Sequence, residues 1–123
     1  MILVDASIWI DHFRSSNAVL DDLLARQQAL VHPFVVGELA VGSLHDRRKV
    51  LDQLDDLTVA YIAEDSEVLN FIEAHRLHGT GIGYIDAHLL ASSFITPDCQ
   101  LWTRDRRLHS AADRLGRAAK VHN

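Results

Sequence analysis

Short apolar runs, each closed by a polar residue and separated by stretches of helical periodicity, recur along this chain. Ile2-Leu3-Val4 ends at Asp5, Ala29-Leu30-Val31 ends at His32, and Leu101-Trp102 runs into Thr103. Runs over 57–62 and 118–121 read the same way. Brief apolar segments rich in branched residues are buried strands. Between them lie helical patterns: Ile8, Trp9 and Phe13 after a Ser7 cap; Val19 to Gln28; Val35 to Leu44 behind Pro33; and a charged stretch through Leu54. Further patterns cover 64–78, stopped at Gly79, then Tyr84 to Phe94 before Pro97, and Asp105 to Leu115. Parallel strands need long crossovers, so strands alternating with helices require a mainly parallel sheet covered on both faces. The pattern predicts an α/β fold, a three-layer α/β/α sandwich around a sheet of about five strands.

At 123 residues the chain fits one domain spanning 1–123, with no linker or internal repeat. It is 48% apolar and 24% charged, which excludes long-range disorder. A single Cys99 allows no internal disulfide and points to a reducing, cytoplasmic setting. No basic leader precedes the first run, which Asp5 interrupts, and no uncharged stretch is long enough to span a membrane. The net charge of −5 argues against a plain phosphate-binding protein; setting four acids aside for metal brings it to −1.

Most carboxylates lie on polar faces, among them Asp21, Asp52 and Glu67. Four do not. Asp5 and Asp105 fall at or just beyond the carboxyl ends of strands, the edge where open α/β sheets bind ligands. Glu38 lies early in the helix after the second strand. Asp86 sits in the first turn of the helix that feeds Leu101-Trp102, and such a helix starts at the carboxyl edge. One topology therefore gathers all four. Like charges so placed need compensation, and a hard divalent cation, Mg²⁺ or Mn²⁺, provides it through carboxylate oxygen. Such ions also activate water and stabilise a leaving oxygen in phosphoryl displacement. Ser7 and Thr103 flank Asp5 and Asp105 as supporting hydroxyls, or serve simply as a helix cap and a strand residue. Arg104, Arg106 and Arg107 beside Asp105 are candidate phosphate contacts, or else a solvated face.

Four blocks carry a family resemblance: Met1-Ile2-Leu3-Val4-Asp5-Ala6-Ser7-Ile8-Trp9-Ile10-Asp11, Val35-Val36-Gly37-Glu38-Leu39, Ile85-Asp86-Ala87-His88-Leu89-Leu90-Ala91, and Trp102-Thr103-Arg104-Asp105 with Leu108. In this order and spacing, over the whole chain, they resemble the PIN-domain ribonucleases, and within them the VapC-type toxins of type II toxin–antitoxin pairs. The resemblance implies Asp5 and Asp86 as direct metal ligands and Asp105 completing the metal shell. Glu38 would hold a second ion or orient the nucleophilic water. It further implies a Mg²⁺- or Mn²⁺-dependent endoribonuclease with one or two ions, an RNA substrate, a cognate VapB-like antitoxin, and a homodimer. His88 and Gly81-Ile82-Gly83-Tyr84 depart from the small aliphatic residues expected around the third acid, which leaves substrate choice open.

Other readings fit less well. Eight histidines include no His-Glu-x-x-His, and His75 with His78 lacks a third zinc ligand. Gly79 to Gly83 follows a helix and lacks the Lys-Ser/Thr of a phosphate loop, so it reads as a hinge. A receiver-type phospho-acceptor module shares the length, the strand pattern and an acidic Mg²⁺ cluster. Its acceptor would have to follow a strand, whereas Asp55 and Asp56 precede one. Trp9, Phe13, Leu20 and Leu23 exceed what one sheet face needs, so part of that stripe is expected to receive an antitoxin segment.

Overall fold

In the computed structural model, which describes residues 1–121, the apolar runs form β1 (Ile2–Val4), β2 (Ala29–Val31), β3 (Thr58–Val59) and β4 (Gln100–Trp102). The helices are α1 (Ala6–Arg14), α2 (Ala18–Ala25), α3 (Pro33–Val41), α4 (Arg47–Asp55), α5 (Asp65–Ala74), α6 (Tyr84–Ile95) and α7 (Arg106–Arg114). All strand pairs are parallel, in the order β3-β2-β1-β4. Connections from β1 to β2 to β3 step one way across the sheet, and the return to β4 steps the other way. Right-handed crossovers therefore put α1–α4 on one face and α5 and α6 on the opposite face. The direction reverses between β1 and β4, and the crevice at their carboxyl ends is the switch point of such a sheet.

The register fixes what meets there. Leu3 pairs with Leu101 and Val4 with Trp102, so the next residues, Asp5 and Thr103, emerge side by side. The Asp5 N–H donates to the Trp102 carbonyl at 3.0 Å, holding the two strand ends together. Leu3, Val4, Leu101, Leu89, Leu90 and Leu108 are fully buried around these central strands. Each contributes about 1.5–3 kcal/mol by leaving water, so the sheet beneath the crevice is its firmest part.

Among the described residues the sheet has four strands, against the expected five or so. The segment over 118–121 contributes one parallel bridge, Ala118 to Leu101, with Lys120 already turned to solvent. The run over 57–62 likewise forms a strand only over Thr58 and Val59, with the Ala60 N–H still bonded to the Val31 carbonyl at 2.9 Å, and leaves the sheet at Tyr61, whose N–H goes to Thr96 Oγ1 at 2.9 Å. Tyr61 and Ile62 stay more than half exposed at this edge.

Three helices stop earlier than their apolar stripes. α3 ends at Val41, three residues short of Leu44, where the Gly42 N–H turns to the Leu39 carbonyl. α2 ends at Ala25, three residues short of Gln28, with Gln27 left-handed (φ 56°) and the Gln28 N–H bonded to the Leu23 carbonyl. α5 ends at Ala74 rather than at 78, with Arg76 left-handed (φ 53°) and the Leu77 N–H bonded to the Ile72 carbonyl. The ends of α2 and α5 are Schellman closures made without glycine. Ser7 is not the cap of α1. Asp5 takes that position, its Oδ1 accepting the Ala6 N–H at 2.8 Å.

Candidate active site

Asp5 is 7% exposed and its carboxylate is the most engaged of the four. Beyond the Ala6 N–H, its Oδ2 accepts the Thr103 hydroxyl at 2.7 Å and the Ser7 hydroxyl at 3.0 Å. A carboxylate has roughly four lone-pair sites, so these three donors orient the group and leave one for a ligand. Thr103 Oγ1 accepts the Asp105 N–H, and Ser7 Oγ accepts the Arg104 N–H, both at 3.0 Å. The two hydroxyls thus tie the start of α1 to the turn that leads into α7. Sequence alone placed them beside the acids; only the strand register makes both of them donors to Asp5.

Asp105 is the N-cap of α7, its Oδ1 accepting the Arg107 and Leu108 N–H groups at 3.0 and 2.9 Å. Oδ2 has no such duty. Asp86 is the third residue of α6, and its Oδ2 accepts the Gly83 N–H at 3.1 Å. A cap and a ligand are compatible here, since each group spends one oxygen on its helix. Glu38 lies in the second turn of α3, deeper in the helix than the sequence suggested, on a helix packed against α1.

The four carboxylates act on one another electrically. Partial desolvation, then the charges of Asp5 and Asp86, raise the Glu38 carboxyl above the usual range although the residue as a whole is exposed. Burial likewise raises Asp86; the Gly83 N–H opposes the rise, and Asp5 and Asp105 add to it. Asp5 and Asp86 therefore form the middle of the group, with Glu38 and Asp105 at its flanks. Among the described residues none of the four is ion-paired. Arg104 is spent elsewhere, its Nε paired with Asp11 Oδ2. Arg106 and Arg107 are exposed and free of carboxylates among those residues.

An oxygen-only donor set with unbalanced negative charge suits a hard divalent cation rather than zinc. The side chains stand apart: among the described residues, no three His, Cys, Asp or Glu groups are already gathered as a cage.

His88 turns away from this rim. Its ring is 1% exposed, with centroids 4.8 Å from Phe34, 4.7 Å from Tyr84 and 6.3 Å from His32. His32 caps α3 by accepting the Phe34 N–H on Nδ1, and its burial, with His88 nearby, lowers its pKa to about 4. The two-residue offset of His88 from Asp86, about 200° around a helix, already turned it away from that acid; the cap made by His32 had no signal in the sequence. Asp55 and Asp56 close α4 at the amino end of β3, on the opposite edge from the four acids.

The apolar stripe of the first helices divides in two. Leu20 is core and Leu23 packs against that core rather than lining a groove; Trp9, itself only 3% exposed, and Phe13 instead line a groove of about 300 Å³ with Leu24, Leu54 and Leu57. The Trp9 Nε1 is buried without a hydrogen-bond partner among the described residues.

Comparison with known proteins agrees with this layout. The PIN domain family matches residues 2–114. Ribonuclease VapC32 of Mycobacterium tuberculosis, in strains CDC 1551 / Oshkosh and H37Rv, is 44% identical over 116 residues, 94% of either chain. The crystal structure of PAE2754 from Pyrobaculum aerophilum aligns with a TM-score of 0.61, covering 89% of this chain and 78% of that one. At 19% identity that likeness is one of fold. With the acidic crevice at the sheet's switch point and matches over nearly its whole length, this chain belongs to the PIN-domain family, in its VapC-type ribonuclease branch.

Proposed function

We propose that this protein is a Mg²⁺-dependent endoribonuclease, with Mn²⁺ able to substitute, and the toxin of a type II toxin–antitoxin pair acting in the cytoplasm. The observation that carries this reading is a set of four carboxylates at one sheet edge, with Asp5 and Asp86 acting on Glu38 and Asp5 and Asp105 acting on Asp86, and no cationic partner among the described residues. Asp5 and Asp86 would hold the ion. Asp105 would complete its shell, and Glu38 would hold a second ion or orient the attacking water. A bound divalent ion, one or two, supplies water of lowered pKa and offsets the phosphodiester charge. Ser7 and Thr103 keep Asp5 aimed by occupying its other lone pairs. Arg106 and Arg107 are the candidate contacts for flanking RNA phosphates, Arg104 being paired with Asp11.

A VapB-like antitoxin segment would lie in the groove lined by Trp9, Phe13 and Leu24. Exposed apolar side chains, Val41 foremost at 90%, favour a homodimer, which light scattering checks. Cleavage of total cellular RNA with 5′-end mapping tests the activity. We expect Mg²⁺-dependent ends from wild type, none in EDTA, and none from folded Asp5→Asn or Asp86→Ala protein. Persistent cleavage by either variant would refute the scheme. Co-purification with the product of the adjacent reading frame tests the partner, and isolation as a free, non-toxic monomer would count against it.

A further inference from the structure

Gly81 stands in the loop before α6 with φ +89°, a conformation that side chains other than glycine's rarely adopt. A Cβ built there would meet Arg107 Cδ at 2.8 Å, Nη1 at 3.0 Å and Nε at 3.1 Å. The arginine side chain thus lies directly on the bare face of the glycine. Both ends of this contact belong to acid-holding structure. Two residues after Gly81, the Gly83 N–H holds Asp86, and the Arg107 N–H is itself held by Asp105. The contact therefore bridges the segments that present two of the four acids. Arg107 also differs from Arg104, whose charge is consumed by Asp11, for Arg107 has no carboxylate within ion-pair distance among the described residues.

We propose that Gly81 is a positioning residue: its missing Cβ is the seat that holds Arg107 beside the acidic rim, where the guanidinium binds one RNA phosphate. This rests on the ribonuclease reading and narrows it, assigning the phosphate contact to Arg107 and adding Gly81, which does not itself touch RNA. A planar guanidinium meets a phosphate with paired N–H donors, and a seated side chain loses less freedom on binding than a free one. Because the atoms that a Cβ would strike belong to a flexible side chain, the arginine is what must move if Gly81 is enlarged.

The test is binding of a fluorescein-labelled, mixed-sequence single-stranded RNA by anisotropy over a salt series. Calcium replaces magnesium to hold the carboxylates without fast turnover. Loss of one phosphate contact lowers the slope of log affinity against log salt by about 0.7, roughly uniformly across RNA sequences. We expect that loss from Arg107→Gln, with binding weakened about tenfold, and the same slope from Gly81→Ala. In the Arg107→Gln background, Gly81→Ala should change neither slope nor affinity further. Gly81→Asn, better suited to positive φ, repeats the measurement if the alanine variant does not fold. A wild-type slope in Arg107→Gln or in a folded Gly81 variant overturns the inference. So does an equal Gly81→Ala loss with and without Arg107, which would locate the effect in the loop backbone. If the wild-type protein itself neither binds nor cleaves RNA, the ribonuclease reading falls as well, a result distinct from those three.

Discussion

Thr103 is the residue on which the site's geometry turns. Its hydroxyl donates to Asp5 at 2.7 Å while accepting from the Asp105 N–H, so one side chain fixes two acids. Replacing it with the near-isosteric valine leaves a buried carboxylate oxygen short of a donor and the Asp105 N–H without its acceptor. Thr103→Val should cost about 1.5–3 kcal/mol of stability in thermal or urea unfolding. Metal-supported cleavage should fall by roughly 10–100-fold, the usual effect of losing a hydrogen bond that orients a metal ligand. Unchanged metal affinity in Thr103→Val would show that Ser7 and the Ala6 N–H suffice to orient Asp5. That pairing could not be read from sequence, because Asp5 and Thr103 lie 98 positions apart and meet only through the register of β1 against β4.

Among the elements, the strands and helices were legible wherever periodicity carried the information, and they failed at their ends. β1, β2 and β4 carry apolar runs because they are buried on both faces, so their positions follow from pattern, whereas their order and register do not. The ends of α2 and α5 were hidden because Gln27 and Arg76, not glycine, adopt the left-handed closing conformation. Each is strained relative to glycine by roughly 1–2 kcal/mol. Gln27→Gly and Arg76→Gly, both at exposed positions, should therefore each stabilise the protein by up to about 1 kcal/mol in urea denaturation. Destabilisation by either would mean that the side chain's own contacts outweigh the backbone strain.

Across the whole molecule, stability against pH is set by groups of opposite sign. Glu38 and Asp86 have raised pKa values, so the metal-free fold is favoured on the acid side and loses stability as pH rises through those values. Glu38→Gln should therefore raise the melting temperature of metal-free protein at pH 7. Its advantage should shrink as pH falls toward the ordinary glutamate value near 4.5. His32 acts the other way. Its pKa is lowered to about 4, so its contribution is complete above 6.5 and is lost as pH falls from there toward 4. That loss is on the order of 3 kcal/mol, and His32→Asn, which keeps a cap acceptor for the Phe34 N–H, should remove it. Parallel melting curves for wild type and both variants in EDTA would overturn these assignments. Added Mg²⁺ at a hundredfold excess over Kd should stabilise the wild type by about 2.7 kcal/mol at neutral pH, and Asp5→Asn should lose that gain.

The sequence by itself determined the alternation of strands and helices and therefore an α/β fold with parallel pairing. It also put Asp5, Asp86 and Asp105 at the ends of elements that all open on one edge. These are local properties, written in periodicity and in where an apolar run stops. What only the tertiary structure decided is which oxygens share protons, caps and charge. The hydroxyls on Asp5, the Arg104–Asp11 pair, the buried His32 and His88 rings and the bare face of Gly81 under Arg107 all join distant positions or oppose faces of different elements. Hydrogen bonds and desolvation act over a few ångströms of space, and no spacing along the chain encodes them until register and crossover have brought the ends together.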